Sequence, residues 1–135
     1  MLFSKGSFFA VIILLAGCKT QQINTPITSA ELTSNLEKKL GQGANQKNNF
    51  DDTYVLGWRE DNTSGTLVVR YGVWEVKTGA LIYANTALRG SVQWLDNNSL
   101  LVEEYLGTVD DGTQNHKFKI DLNTKIKIPL SENEK

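Results

Sequence analysis

The chain has 135 residues, enough for one small domain, with 14 basic and 15 acidic side chains and a formal net charge of −1. Its charges form neither the basic patch of a nucleic-acid-binding protein nor the acidic block of a solvating tail. Its single cysteine excludes an intramolecular disulfide and any metal site built from several cysteines.

Residues 1–17 have the parts of a secretion signal. A short segment with one positive charge, Lys5, precedes an unbroken apolar run from Phe8 to Leu15. A membrane span needs about 20 apolar residues, so this run is too short to be one. Its length is typical of the apolar core of a signal peptide, and small residues close it. We therefore expect residues 1–17 to be removed.

Residues Leu15-Ala16-Gly17-Cys18 resemble the lipobox of bacterial lipoproteins, in which an aliphatic residue and two small residues precede a cysteine. The resemblance implies that the Cys18 thiol takes a diacylglyceryl group through a thioether. It also implies that a signal peptidase cuts between Gly17 and Cys18, which leaves an amine open to acylation, for example by palmitate. Two or three acyl chains give a stable anchor, so we expect the mature protein to stay on the membrane.

The residue after the cysteine bears on which membrane carries the protein. In enterobacterial-type sorting, aspartate at this position retains a lipoprotein in the inner membrane. Here the position holds Lys19, and no acidic run follows it. By that analogy we expect an outer-membrane location facing the periplasm; in a cell with one membrane, the domain would lie outside the cell.

A helix is predicted after a lipidated tether of residues 18–28. Thr28 and Glu31 have the spacing of a capping box, which satisfies backbone N–H groups at a helix start. Three leucines follow at intervals of four, and Gly41 closes the segment after two lysines. The segment 29–41 is therefore interpreted as an amphipathic helix, with helical residues from about 29 to 40 and Gly41 as the residue that ends it. Its leucines need an apolar surface, most simply the domain's own sheet.

The rest of the chain has the pattern of a β domain. Residues 42–52 are rich in Gly, Gln and Asn and are interpreted as a linker, and residues 131–135 as a charged tail. Between them, residues 53–130 alternate short apolar segments with turn signals. The pattern predicts a mainly β fold, an antiparallel meander of about seven or eight short strands with one N-terminal helix. Candidate strands are 54–58, 67–76 with a bulge or bend at Gly72, 80–85, 91–95, 100–106, 117–122 and 126–128.

A faint internal repeat bears on the architecture. Trp58 and Trp94 each precede a Leu-Val-x-x-Tyr segment, and a Thr-centred hairpin follows in both halves. Each half resembles a β-propeller blade, although a propeller needs about four or more blades and this chain has room for two. Simple β-meanders also converge on such patterns. We expect either one strongly curved sheet or two small sheets packed together.

The usual catalytic and metal-binding groups are sparse. His116, the only histidine, is interpreted as a solvent-facing residue at a strand edge. Glu103 and Glu104 are strand neighbours, so alternation sends them to opposite faces and they cannot act as one acid/base pair. Asp110-Asp111-Gly112 is interpreted as a turn because the further oxygens of an EF-hand loop are absent. The sequence therefore predicts no catalytic residue, no metal and no cofactor.

The tryptophans are the candidates for a partner surface. Trp58, Trp74 and Trp94 would serve if exposed, although Trp58 and Trp94 are equally compatible with a core role. Trp74 lies on the opposite strand face from Tyr71 and Val73. That face is either buried by the predicted helix or left open as an exposed aromatic patch.

Two functions follow from these features. The first is a non-enzymatic, lipid-anchored envelope protein that contacts another envelope protein or assembly. The alternative is a binder or inhibitor of a soluble target such as a muramidase. An exposed aromatic face would favour the envelope protein. A protruding polar loop around residues 107–115 would favour the binder or inhibitor. A cleft with paired carboxylates would favour an enzyme, the least favoured interpretation.

Overall fold

The computed structural model describes residues 25–109 and 112–131. The predicted signal peptide, Gly17, Cys18, most of the tether, Asp110, Asp111 and nearly all of the charged tail lie outside this part of the chain. The described elements are one helix and eight strands: α1 (Ser29–Leu40), β1 (Asn45–Asn48), β2 (Tyr54–Thr63), β3 (Thr66–Glu75), β4 (Leu81–Leu88), β5 (Ser91–Asp96), β6 (Ser99–Val109), β7 (Gly112–Asp121) and β8 (Ile126–Pro129).

All neighbouring strands pair antiparallel, and they form two four-stranded sheets with orders β1-β2-β3-β4 and β5-β6-β7-β8. The predicted mainly β meander with one N-terminal helix is confirmed. Of the two arrangements expected, the chain adopts two packed sheets. Trp58 lies on β2 and Trp94 on β5, in each case the strand before the one that carries the Leu-Val-x-x-Tyr segment.

The helix begins and ends where its local signals predict. Thr28 Oγ1 accepts a hydrogen bond from the Glu31 backbone N–H at 3.2 Å, and a Glu31 carboxylate oxygen accepts one from the Thr28 N–H at 2.7 Å. This is the reciprocal capping box. At the other end, the Gly41 N–H donates to the Glu37 carbonyl at 2.8 Å. A lowered pKa of the Glu31 carboxyl follows from the hydrogen bond that the Thr28 backbone donates to it.

The domain has two apolar clusters, one on each side of the first sheet. The larger lies between the sheets and includes fully buried Leu56, Val73, Leu100 and Ile120. The smaller lies under the helix, where Leu32, Leu36 and Leu40 cover Val55 and Trp74. The helix therefore packs on the domain's own sheet, as its leucine spacing requires.

Close contact between helix and sheet depends on Gly57, which lies on the covered face of β2. A methyl group added there would come within 2.7 Å of a Leu36 side-chain carbon. The missing side chain thus leaves the space that Leu36 fills.

Two segments differ from their predictions. The interval 42–52 contains strand β1, paired with β2 from Asn45–Trp58 to Asn48–Val55, so it is not simply a linker. The irregularity expected at Gly72 lies instead opposite Val73 and Trp74, where the β3–β4 pairing skips Ile82. Ile82 is thus the extra residue of a bulge in β4.

Candidate interaction site

The predicted tryptophan surface needs correction. Trp74 is 2% exposed beneath the helix, and Trp94 is 8% exposed between the sheets. The Trp94 indole Nε1–H donates to the Lys47 carbonyl at 2.9 Å, which ties the second sheet to β1. Only Trp58 remains half-buried, packed against the core between the sheets. These side chains hold the fold together and form no common partner surface.

The longest hairpin, β6–β7, extends past both of its neighbours. β5 follows it only as far as the Ser91–Glu103 pair, and β8 only as far as the Phe118–Pro129 pair. The β6–β7 pairing continues to Val109–Gly112, so this end is a two-stranded ribbon among the described strands. A ribbon of this kind can reach a partner that the sheet itself cannot touch.

Polar and aromatic side chains meet at the base of this hairpin, on the inner face of the second sheet. The Lys127 ammonium lies 3.0 Å from a Glu104 carboxylate oxygen and 4.1 Å from the centre of the Phe118 ring. The His116 ring stacks on Phe118 with centroids 6.2 Å apart. We call His116, Phe118, Glu104 and Lys127 the hairpin-base cluster. Within it, Lys127 is held by an ion pair and by a cation–π contact.

This geometry confirms one prediction and corrects another. Glu103 and Glu104 point to opposite faces, where Glu103 pairs with Lys117 at 3.5 Å and Glu104 with Lys127. The carboxylates therefore do not form an acid/base pair with each other. His116 is half-buried rather than solvent-facing; it lies opposite Glu104 and two residues beyond the last β7–β8 pair, so its strand is paired there only with β6 among the described strands.

Tyr71 lies in the core beside this cluster. Its side chain is 1% exposed, and its hydroxyl oxygen has no hydrogen-bond partner among the described residues. Burial raises the pKa of Tyr71, and the neighbouring Tyr83 and Glu104 raise it further. The hydroxyl therefore stays protonated across the physiological pH range and cannot act there as a base.

A shallow cavity of about 300 Å³ lies between the C-terminal end of the helix and strand β4. Lys39 and Arg70 give its wall a positive character. Asp61 offsets part of that charge because it pairs with Arg70 and, at 3.5 Å, with Arg59. The remaining lining residues are Leu40, Tyr71, Ala84, Asn85 and Thr86.

Phe50 is an exposed aromatic residue that the sequence did not single out. It is 73% exposed at the turn after β1. The residue before it, Asn49, is held by two side-chain hydrogen bonds. The Asn49 amide Nδ2 donates to the Asn97 carbonyl at 3.0 Å, and its Oδ1 accepts from the Tyr54 N–H at 3.0 Å. The only signal in the sequence is one aromatic residue in a polar segment, which does not distinguish an exposed ring from a core ring.

Two negative findings complete the description. Within residues 25–109 and 112–131, no three His, Cys, Asp or Glu side chains come close enough to hold a metal ion. In the same part of the chain, no helix has the length and apolar character to cross a membrane.

Comparison with protein-family models, with curated proteins and with solved structures finds no match to this chain.

Proposed function

We propose that this protein is a lipid-anchored, non-enzymatic interaction module of the bacterial cell envelope. The observation that carries the proposal is the lipobox-like Leu15-Ala16-Gly17-Cys18, followed after a few residues by a folded domain. In this proposal the protein lies on the outer membrane and faces the periplasm, and its partner is another envelope protein.

The short interval between lipid and domain supports an envelope partner. Ile27 already packs against the cluster under the helix, and its N–H donates to the Lys77 carbonyl at 3.3 Å. Ile27, within the predicted tether 18–28, therefore already contacts the domain. The nine residues from Cys18 to Pro26 span at most about 30 Å when fully extended. That reach is comparable to the diameter of a small domain, so the domain stays near the membrane surface.

Replacing the lipidated residue tests the anchor directly. Cys18→Ser should give an unprocessed precursor that incorporates no labelled palmitate, because a hydroxyl does not supply the thioether sulfur. Since Cys18 is the only cysteine, the label reports on this lipidation site alone. The measurement is palmitate incorporation together with gel mobility in whole cells.

A matched control is Ser29→Ala, which changes a serine at the exposed start of the helix and leaves the lipobox intact. It should be processed and labelled like the natural protein. Normal cleavage and labelling of Cys18→Ser would disprove the anchor.

The extended β6–β7 hairpin gives the alternative function its support. A protruding hairpin is the feature that a binder or inhibitor of a soluble target, such as a muramidase, would present. The Tyr105–Asn115 pair allows a shortened variant, with residues 106–114 replaced by an Asn-Gly turn. Muramidase inhibition by the full chain, lost in this variant, would favour the alternative over an envelope partner.

A further inference from the structure

We propose that strand β4 is a self-association edge, which pairs antiparallel with β4 of a second copy of this chain. The two first sheets would then join into one eight-stranded sheet. This pairing makes the proposed interaction role more specific, because it names a second copy of the chain as the partner. It rests on the proposed function in one respect only, that the lipid anchor holds both copies on one membrane.

The first observation is that β4 lacks the devices that usually protect an edge strand. Its eight residues, LIYANTAL, include no charge and no proline. The edge strands β1 and β8 have four residues each, with Lys47 in one and Lys127 and Pro129 in the other. The fourth edge, β5, has six residues and ends on a charge, Asp96. A long uncharged edge can pair with another strand through its backbone N–H and C=O groups. On β4 the Thr86 N–H donates to the Asn85 side-chain oxygen at 2.8 Å, a bond within the strand that pairing with a second copy would replace.

The second observation is that the exposed side chains of β4 complement a reversed copy of themselves. Leu81 and Leu88, at opposite ends of the strand, are 43% and 46% exposed. The bulge at Ile82 places Leu81 opposite Trp74, while Leu88 lies opposite Val68, so both leucines are on the face covered by the helix. Without the bulge they would lie on opposite faces.

These positions define one two-fold register. With Ile82 as the extra residue, Asn85 is the middle of the seven paired positions from Leu81 to Leu88. Pairing about Asn85 sets Leu81 opposite Leu88 of the second copy, and Asn85 opposite its own equivalent. Each exposed leucine then gains an apolar neighbour, and no like charges oppose each other.

The membrane anchor is compatible with this symmetry. The two-fold axis of two antiparallel strands in one sheet is perpendicular to the sheet, so both helices lie on the same face. Each chain enters its helix from Ile27, which packs on that face. Both tethers therefore lead away from one side of the dimer. Anchoring both copies in one membrane also raises their effective concentration.

A cysteine at the symmetry position tests the register. Directly opposed residues in an antiparallel pair have Cα atoms about 4.5–5.5 Å apart, within the range of a disulfide. In the full-length protein, Asn85→Cys should therefore give a disulfide-linked dimer as the main species on a non-reducing gel after oxidation in cells. Ala84→Cys should crosslink poorly alone and strongly when co-expressed with Thr86→Cys, its partner in this register.

Gln93→Cys is the matched control, because Gln93 is also an exposed polar residue on an edge strand, in the other sheet. On the same non-reducing gel it should run as a monomer without a disulfide link. The natural sequence, whose only cysteine is Cys18, should do the same. Three outcomes would overturn the proposal. The variants at positions 85 and 93 could crosslink equally, Asn85→Cys could form no disulfide-linked dimer, or Asn85→Cys could form its disulfide with a different protein. Palmitate labelling in the same cells separates failure of pairing from failure of the anchor.

Charge at the axis provides a second test that needs no disulfide. Asn85→Lys would set two ammonium groups opposite each other and should shift the detergent-solubilised full-length protein from dimer to monomer. Gln93→Lys adds the same charge away from the axis and should leave the dimer intact. A dimer unaffected by Asn85→Lys would exclude this edge as its interface.

Discussion

The ion pair of Lys127 and Glu104 shows how individual residues close the end of the core. The Glu104 side chain is 12% exposed and that of Lys127 32%. A carboxylate this far from water needs a partner, because removing one member of a buried pair leaves the other charge uncompensated. The ammonium of Lys127 also lies 4.1 Å from the centre of the Phe118 ring, so the lysine makes a cation–π contact as well as the ion pair.

Lys127→Met keeps the length of the side chain and removes its charge. We expect the free energy of unfolding to fall by roughly 1–3 kcal/mol, less than for a fully buried pair because Lys127 is partly solvated. The measurement is denaturant unfolding of the full-length protein in detergent. Adding Glu104→Gln to this variant should recover part of the loss, since the uncompensated carboxylate is then gone.

The control is Lys117→Met, whose lysine is 54% exposed and pairs with Glu103 on the outer face. An exposed pair of this kind contributes about 0–1 kcal/mol. An equal loss in the two methionine variants would show that the location of Glu104 in the core has no special energetic role.

Among the elements, the helix is the part that the sequence predicts most completely, because all of its signals are local. Thr28, Glu31 and Gly41 lie within one turn of the ends that they define, and the leucine spacing identifies the buried face. The residues beneath the helix could not be assigned in this way. Trp74 is 34 positions from the nearest helix leucine, and strand parity gives only its face.

Strand β1 was missed because its sequence carries no strand signal. Asn45-Gln46-Lys47-Asn48 is polar throughout and its side chains are exposed, so neither alternation nor β propensity indicates pairing. Its conformation depends on backbone pairing with β2 and on the Trp94 hydrogen bond to Lys47. The hairpin-base cluster is equally non-local, since Glu104 and Lys127 are 23 residues apart in sequence.

The capping box makes the stability of the helix depend on pH in a defined direction. Hydrogen bonds from Thr28 lower the pKa of the Glu31 carboxyl in the folded protein. The ionised carboxylate therefore favours the folded state above the pKa that Glu31 has when unfolded. This contribution is lost as the pH falls from the unfolded pKa through the lowered folded pKa.

Glu31→Gln keeps an acceptor at the third helical position but removes the titration. The natural protein should melt at a higher temperature than the variant at neutral pH, and the difference should narrow in acid. Melting curves at several pH values check this. Glu37→Gln, in the same helix but outside the capping box, is the control. A gap between the natural protein and Glu31→Gln that stays constant down to pH 3 would contradict the linkage.

At the scale of the whole molecule, the two sheets are joined where Gly90 crosses the backbone of β6. A methyl group placed on Gly90 would lie 1.6 Å from the Glu103 carbonyl oxygen and 3.2 Å from the Glu104 Cα. No side chain fits there unless the backbone moves. The Ser91–Glu103 pair follows directly, so this approach fixes the position at which the second sheet begins. The sequence around Gly90 does not distinguish it from other glycines, because the residue that it contacts, Glu103, lies 13 positions further along the chain.

Gly90→Ala should therefore separate the contribution of this junction from that of either sheet. We expect the free energy of unfolding to fall by about 1–3 kcal/mol, the range for overpacked sites. The obstructing atoms belong to the backbone of β6, so they cannot rotate away as a side chain would. Ser91→Ala, at the exposed neighbouring position, should change it by less than about 0.5 kcal/mol. Since the core between the sheets requires their present alignment, the alanine at position 90 should also increase hydrogen exchange at Val92 and Val102, which face that core. If Gly90→Ala unfolds like the natural protein and leaves exchange at these amides unchanged, the close crossing does not determine how the sheets pack.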